Sequence, residues 1–400
     1  MPGLSPPAET IMEQVRSCIL RDAALQAALA AIDDAAVFAD MTAAAAVAHG
    51  IAITRDEIFA LSAPDPIGLA RWLPAAANAG EWPSTAWLPV SANAFVNPPV
   101  IAWAHFAGVR LTASFFEEPL REALSRPFNR AFPYRMTLDD FVGRAELHDA
   151  LQPSGLIFHM SRCGSTLVSQ MLAALSQNIV VSEAPPLDTV VQLAGPPTDQ
   201  PSPDAIRALR AMVAALGRRR FADERHYVLK LDCWHTLALP LFRAAFPDVP
   251  WVFLYRDPVE VMVSQMRAPG AQVAHGALPP HIYGIAGGET MPREEYYARV
   301  LAKTCVAVLD RWRLGGGLAI NYRELPGAVW TRILPHFGLP DSEGDRAEMR
   351  RASLQNAKAP YEAFVGDTAA KRREATASVR AAVDRHLADI CARLEALSAG

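Results

Sequence analysis

The 400 residues predict an α/β protein in which a central parallel sheet is flanked by helices and preceded by a small all-α unit. Three observations carry this expectation. From Gly155 onward, short apolar runs of strand length alternate with longer stretches of helical period, the pattern of a parallel sheet buried on both faces. Two of those runs end in charged turns that open directly into helices, RCGST after GLIFHMS and RDPVE after WVFLY. From Thr10 to about Ala63, by contrast, apolar residues recur at helical spacing (Ile11, Val15, Ile19, Leu20, Leu25, Leu29) without strand-like alternation.

Composition narrows the function classes. A hydrophobic fraction of 51% with 20% charged residues is that of a folded chain with a sizeable core. A formal net charge of −4 argues against general binding of nucleic acid or anionic membrane, which needs a large basic face, so any anion site must be local. No run approaches the roughly 18 uninterrupted apolar residues of a membrane span. The start MPGLSPPAETIMEQ lacks the basic residues and apolar run of a signal peptide, and a cytoplasmic location is expected. Five scattered cysteines, Cys18, Cys163, Cys233, Cys305 and Cys391, form neither a disulfide framework nor a zinc spacing.

Taken in order, residues 1–63 form the helical unit. The run ILRDAALQAALAAIDDAAVFADMTAAAAVAHGIAITRDEIFAL resembles the Nif11 type of leader-peptide domain, with its aspartate-then-leucine start, alanine-rich middle and Gly-Ile-x-Ile-Thr segment before a last acidic helix. That resemblance implies a partner protein or peptide docked through residues 1–63; an ordinary helical appendage is the other reading. Residues 64–152 are rich in Pro and Trp (Trp72, Trp82, Trp87, Trp103), and their aromatics suit an ordered segment packed on the main domain better than a free linker. Residues 153–400 hold the sheet. Its strands are expected at Leu156 to His159, Asn178 to Val181, Tyr227 to Lys230, Val252 to Tyr255 and Leu318 to Asn321. Helices are expected at Ser165 to Ser176, Asp204 to Arg219, Thr236 to Ala245, Pro258 to Met266, Arg293 to Arg313, Pro326 to Phe337 and Lys371 to Leu397.

The segment GLIFHMSRCGSTLVSQMLAAL reads as strand, tight turn and amphipathic helix. Unpaired N–H groups at such a helix start, backed by the helix dipole, make an anion site. Gly164 allows close backbone approach, Arg162 brings a fixed positive charge, and Cys163, Ser165 and Thr166 complete the loop with backbone and hydroxyl donors. The Lys of a Walker A loop is missing, because Gly164 is followed directly by Ser165. That speaks against a kinase or ATPase, whose highly charged β,γ-phosphates rely on that Lys and on Mg²⁺. In DVPWVFLYRDPVEVMVSQM, Pro258 fits a first helical turn, Asp257 can cap it, and Arg256 sits at the carboxyl end of a strand, where open α/β sheets bind ligands. Ser264 follows eight residues later, about two turns into the helix.

These two segments together resemble the P-loop sulfotransferases that use 3′-phosphoadenylyl sulfate (PAPS). The loop around Arg162, Gly164, Ser165 and Thr166 is similar to the family's 5′-phosphosulfate loop, and the pair Arg256 and Ser264 to the Arg and Ser that hold the 3′-phosphate. LAINYREL resembles the family segment whose tyrosine, here Tyr322, lies near the nucleotide. SLQNAKAPYEAFVGDTAAKRREA, with Lys358, Lys371, Arg372 and Arg373, resembles the basic segment that closes over PAPS, although the family's Arg-Lys-Gly triplet is absent and leaves open which cation acts. Glu183, after the second strand, looks like the base of the protein-tyrosine and some bacterial sulfotransferases. The steroid and phenol branch instead places a histidine two residues beyond a strand-end lysine; here Lys230 is followed by Asp232, and His235 lies three further on.

The resemblance implies in-line transfer of a sulfuryl group from PAPS to an acceptor hydroxyl or amine, with adenosine 3′,5′-bisphosphate (PAP) as product and no metal. Glu183 ranks first as base, Asp232 second and His235 third, and Lys230 is the candidate to polarise the leaving group. The acceptor, a small molecule or a peptide, is not named by the sequence. Arg267 to Pro292, rich in Gly and Pro, is expected to be a mobile acceptor-side lid. The competing readings are a nucleotide-dependent phosphotransferase on the same sheet and a non-catalytic peptide-binding module.

Overall fold

Side-chain caps delimit the helices at the start of the chain. In the computed structural model, which describes residues 10–64, 81–356, 359–363 and 368–399, Thr10 and Glu13 form a reciprocal capping box on α1 (Ile11–Arg21). Asp22 caps α2 (Ala23–Ala30), Asp34 caps α3 (Ala35–Ala48), and a second box, Thr54 with Glu57, opens α4 (Arg55–Leu61). Two compact units are present: residues up to Arg110 with Glu117–Ala145, and Leu111–Phe116 with Glu146–Gly400.

The four helices share the first unit with an antiparallel sheet that the sequence reading did not foresee. Its strands β1 (Trp87–Asn93), β2 (Val100–His105) and, beyond α5 (Glu117–Ser125) and α6 (Pro127–Ala131), β3 (Tyr134–Thr137) lie in the order β1-β2-β3, followed by α7 (Leu138–Ala145). Phe38 of α3 is fully buried and meets Phe128 and Phe132 edge-on at 6.5 and 6.1 Å. The Trp87 indole N–H donates to the Gln26 side-chain oxygen at 2.8 Å. Trp72 and Lys358 lie outside the described residues.

The second unit is the expected α/β fold. Strands β4 (Gly155–His159), β5 (Asn178–Ser182), β6 (His226–Lys230), β7 (Trp251–Tyr255) and β8 (Gly317–Asn321) pair in parallel in the order β5-β6-β4-β7-β8. Every residue of β4 and β7 is buried, which is why they read as unbroken apolar runs. The connections are α8 (Ser165–Ala173), α9 (Pro185–Leu193) and α10 (Pro203–Leu216), α11 (Leu239–Ala245), then α12 (Pro258–Arg267) and α13 (Arg293–Arg311). After β8 come a π-helical turn running into α14 (Leu334–His336), then α15 (Glu343–Ser353), α16 (Thr368–Glu374), α17 (Ala377–His386) and α18 (Ala388–Ala399). The single helix expected over Lys371 to Leu397 is thus three, because Thr376 caps a new start on the amide of Val379 and the chain turns again at Leu387. No helix among the described residues is long and apolar enough to cross a membrane.

The topology places the site. β4 and β7 are neighbours, and the chain leaves their carboxyl ends toward opposite edges of the sheet, so a crevice opens there. The loops carrying Arg162 and Arg256 both begin at that crevice, and Tyr322 follows β8 one strand further on.

Candidate active site

The turn after β4 is wound left-handed: Ser161, Arg162 and Gly164 have φ of 72°, 53° and 89°. Successive residues near the left-handed region turn backbone N–H groups toward one concavity, ahead of the α8 N-terminus, whose first amides have no partner within the helix. Gly164 is required twice. Its φ disfavours any side chain, and a Cβ there would come within 2.8 Å of the Tyr322 ring and 2.9 Å of Leu325. Ser165 and Thr166 are buried in the first turn of α8. The Cys163 side chain faces away from the concavity, its thiol donating to the Leu254 carbonyl at 3.1 Å; burial pushes its pKa up to about 12, so it is a neutral packing group and only its backbone belongs to the loop. Arg162 donates to the Ala268 carbonyl at 2.5 Å, and burial holds its pKa below the usual value.

Tyr322 joins this loop to the second motif. The Arg256 guanidinium stands 3.9 Å from the Tyr322 ring centre, on the same side chain that packs against Gly164. Arg256 is anchored by Glu260, one turn into α12, with its Nε 2.7 Å from Oε2. Arg372 reaches the same carboxylate at Oε1 (3.0 Å) and Asp257 at 2.8 Å. Among the C-terminal cations this brings Arg372 to Arg256, while Lys371 is buried in α16. Ser264 lies one turn beyond Glu260 on the same helix, half-buried. The sequence reading passed over Glu260. Its signal was the i,i+4 spacing from Arg256 and the acid in a first helical turn.

The candidate bases form a cluster at the ends of β5 and β6 in which Glu183 and Asp232 are half-buried and His235 is buried. Glu183, at φ 53°, donates its amide to the Lys230 carbonyl at 2.8 Å, and its carboxylate accepts from the Lys230 ammonium at 2.5 Å. Burial pushes the Glu183 pKa up, but Lys230 and His159 outweigh it and hold the group well below the usual carboxylate range. Lys230 has no exposed side-chain surface, and its ammonium sits 4.6 Å from the centre of the Phe115 ring. Asp232 is pushed up to about 6 by burial and by the charges of Glu183 and Asp188. His235 is fully buried, with Nε2 3.0 Å from Asp188 and its ring against Trp234, and burial lowers it to about 4.

Several residues that the sequence reading missed tie these parts together. Ser161 accepts from the side-chain amides of Gln265 (3.0 Å) and Gln272 (2.9 Å). Arg267 to Pro292 therefore starts fastened to the loop after β4, and it continues through two short 3₁₀ turns with Val273, Ile282 and Tyr283 buried. His275 stacks on Tyr296 at 4.3 Å and bonds the Gly288 carbonyl. The stretch expected to form an acceptor-side lid is thus a flap built from short turns around these buried side chains. His159, the last residue of β4, lies between the loop and Glu183.

The chain matches no protein-family profile and no curated protein. Among solved structures it is similar to a sulfotransferase from Mycobacterium avium, at 14% identity over 62% of this chain and 81% of the other, with a TM-score of 0.35. A sulfotransferase from Mycobacterium tuberculosis aligns at 17% identity over 52% of this chain and 73% of the other, with a TM-score of 0.33. The sulfotransferase domain from the curacin biosynthetic pathway aligns at 16% identity over 62% of this chain and 99% of the domain, with a TM-score of 0.37.

Proposed function

We propose that the chain is a PAPS-dependent sulfotransferase. The observation that carries this reading is the meeting of three separate segments on Tyr322, whose ring packs against Gly164 of the phosphate loop and bears the Arg256 guanidinium. An anion-binding loop and a buried arginine joined through one aromatic ring suit a nucleotide with phosphates at both ends of its ribose, the 5′ group on the loop and the 3′ group toward Arg256 and Arg372.

In this reading the acceptor oxygen attacks sulfur, the bond from sulfur to the bridging phosphate oxygen breaks, and PAP leaves. The acceptor proton goes to a carboxylate. Glu183 held low by Lys230 is a weak base, so its role requires Lys230 to shift toward the bridging oxygen as charge develops there, which frees the carboxylate as it stabilises the leaving group. A second assignment of the base rests on Asp232, whose pKa of about 6 is better matched to proton transfer near neutral pH. Measuring PAP released from PAPS separates the two: Glu183→Gln should lower turnover about 10²–10⁴-fold while leaving PAP affinity nearly unchanged, and an active Glu183→Gln with an inactive Asp232→Asn moves the base to Asp232.

Calorimetric titration with PAP, 5′-AMP and ATP tests the reading as a whole. PAP should bind at least about tenfold more tightly than 5′-AMP, and Arg256→Ala should remove most of that difference. Equal affinity for PAP and 5′-AMP, or Mg²⁺-dependent preference for ATP, would replace the sulfotransferase by a phosphotransferase.

A further inference from the structure

We infer that His159 is a positioning residue that ties the conformation of the phosphate loop to the orientation of the Glu183 carboxylate. The inference rests on the reading of Glu183 as base. His159 is the last residue of β4 and almost fully buried, and its two ring nitrogens point to the two halves of the site. Nε2 lies 2.9 Å from the Leu231 carbonyl, which can only accept, so the ring proton is on Nε2. Nδ1 is then the acceptor, and it takes the amide N–H of Ser161 at 3.1 Å, the first left-handed residue of the loop. The same Nε2 stands 3.4 Å from Glu183 Oε1, the oxygen that Lys230 also holds. With both partners on Oε1, Oε2 is the oxygen left to meet an acceptor proton.

One imidazole thus fixes a backbone amide of the donor loop on one side and the β6 end with the carboxylate on the other. A core histidine that merely fills space would not need its nitrogens divided in this way between two segments that the chemistry must hold in register. Arg162 and Asp232 also bear on Glu183 electrostatically, so the His159 contribution has to be isolated by changing one nitrogen at a time.

Two substitutions do this. The side-chain oxygen of His159→Asn can stand where Nδ1 does and keep the Ser161 bond, while nothing reaches Leu231 and Glu183. The amide of His159→Gln can reach where Nε2 does, while the Ser161 amide loses its acceptor. PAP affinity by calorimetry reads the loop, and the ¹³C titration of the Glu183 carboxyl, assigned with Glu183→Gln, reads the base. In His159→Asn, PAP affinity should stay within about twofold of wild type and the Glu183 titration should move up in pH. In His159→Gln, PAP should bind about tenfold more weakly and the Glu183 titration should stay at the wild-type position. Equal effects of both variants on both readouts, or none, would overturn the link. Should either variant fail to fold, the ¹⁵N shifts of His159 in the wild type decide: a proton on Nδ1 overturns the proposal. Wild-type protein that binds PAP no better than 5′-AMP would sink the sulfotransferase reading, and the ¹³C titration would still judge His159.

Discussion

Single residues in this chain are constrained by what stands against them. Gly164 is fixed by a ring 2.8 Å from its missing Cβ, and Lys230 by a carboxylate and an aromatic face in a site with no exposed side-chain surface. Asp232 shows the opposite situation, a half-buried acid among like charges. Its pKa rises from 3.8 to about 6, because burial first and then Glu183 and Asp188 disfavour the ionised form. The folded state therefore holds this proton more tightly than the unfolded state. The stability that the protonated group contributes is complete below about pH 3.8 and is lost as pH rises through about 6. Asp232→Asn should accordingly stabilise the protein above pH 6, by up to about 3 kcal/mol, with the gain shrinking toward pH 4. Urea denaturation of both proteins across this pH range checks it; a gain that grows as pH falls would show that the Asp232 charge is satisfied by a partner.

At the scale of elements, Ser161 connects the loop after β4 to the flap that begins at the end of α12. Its hydroxyl is the acceptor for two buried glutamine amides, and Gln265 in turn accepts the Gly270 amide at 2.8 Å. Ser161→Ala keeps the backbone bond to His159 but leaves both amides short of a partner, each costing about 1–3 kcal/mol if nothing replaces it. Hydrogen exchange should quicken at residues 268–274 while β4 and β7 stay protected; uniform acceleration, or none, would show that the flap is held by other contacts. None of this fastening was legible in the sequence, because hydroxyl-to-amide contacts over a hundred residues apart leave no periodicity. The five parallel strands were legible to within a residue or so, since each has a buried apolar stretch at its centre and β4 and β7 are buried throughout. β1 to β3 were not. Pro89 and the bulge beside it interrupt the alternation, and β3 is only four residues long and pairs across an intervening helical stretch. Arg162, Arg256, Glu183 and Tyr322 could be singled out in advance because each is a polar residue in the turn just after a strand, whereas His159, the last residue of β4, stands between Phe158 and Met160 and reads as core.

At the scale of the whole molecule, the chain divides into two compact units of different make-up. Every residue assigned to nucleotide or proton transfer belongs to the second unit, including Phe115 from the short Leu111–Phe116 insertion. The helices of residues 10–61 and the strands β1 to β3 form one core of their own, in which Phe38 packs on Phe128 and Phe132, and Trp87 donates to Gln26. The four helices thus share a unit with the antiparallel sheet. Removing residues 1–63 would uncover the aromatic faces of Trp87, Phe128 and Phe132, which is a route to aggregation. A milder probe keeps the whole chain and changes its centre. Phe38→Ala should cost about 3–5 kcal/mol, the range for a buried phenylalanine, and lower the thermal midpoint of the first unit. PAP affinity should remain within about twofold of wild type at 25 °C, because the loop, Arg256, Tyr322 and Arg372 are untouched. Thermal denaturation with and without PAP gives both answers together, since a ligand bound to the second unit alone raises that unit's midpoint by mass action. A Phe38→Ala protein that is as stable as wild type would show that the aromatic cluster is not the core of its unit, and one that is folded but has lost PAP binding would show that the first unit shapes the nucleotide site.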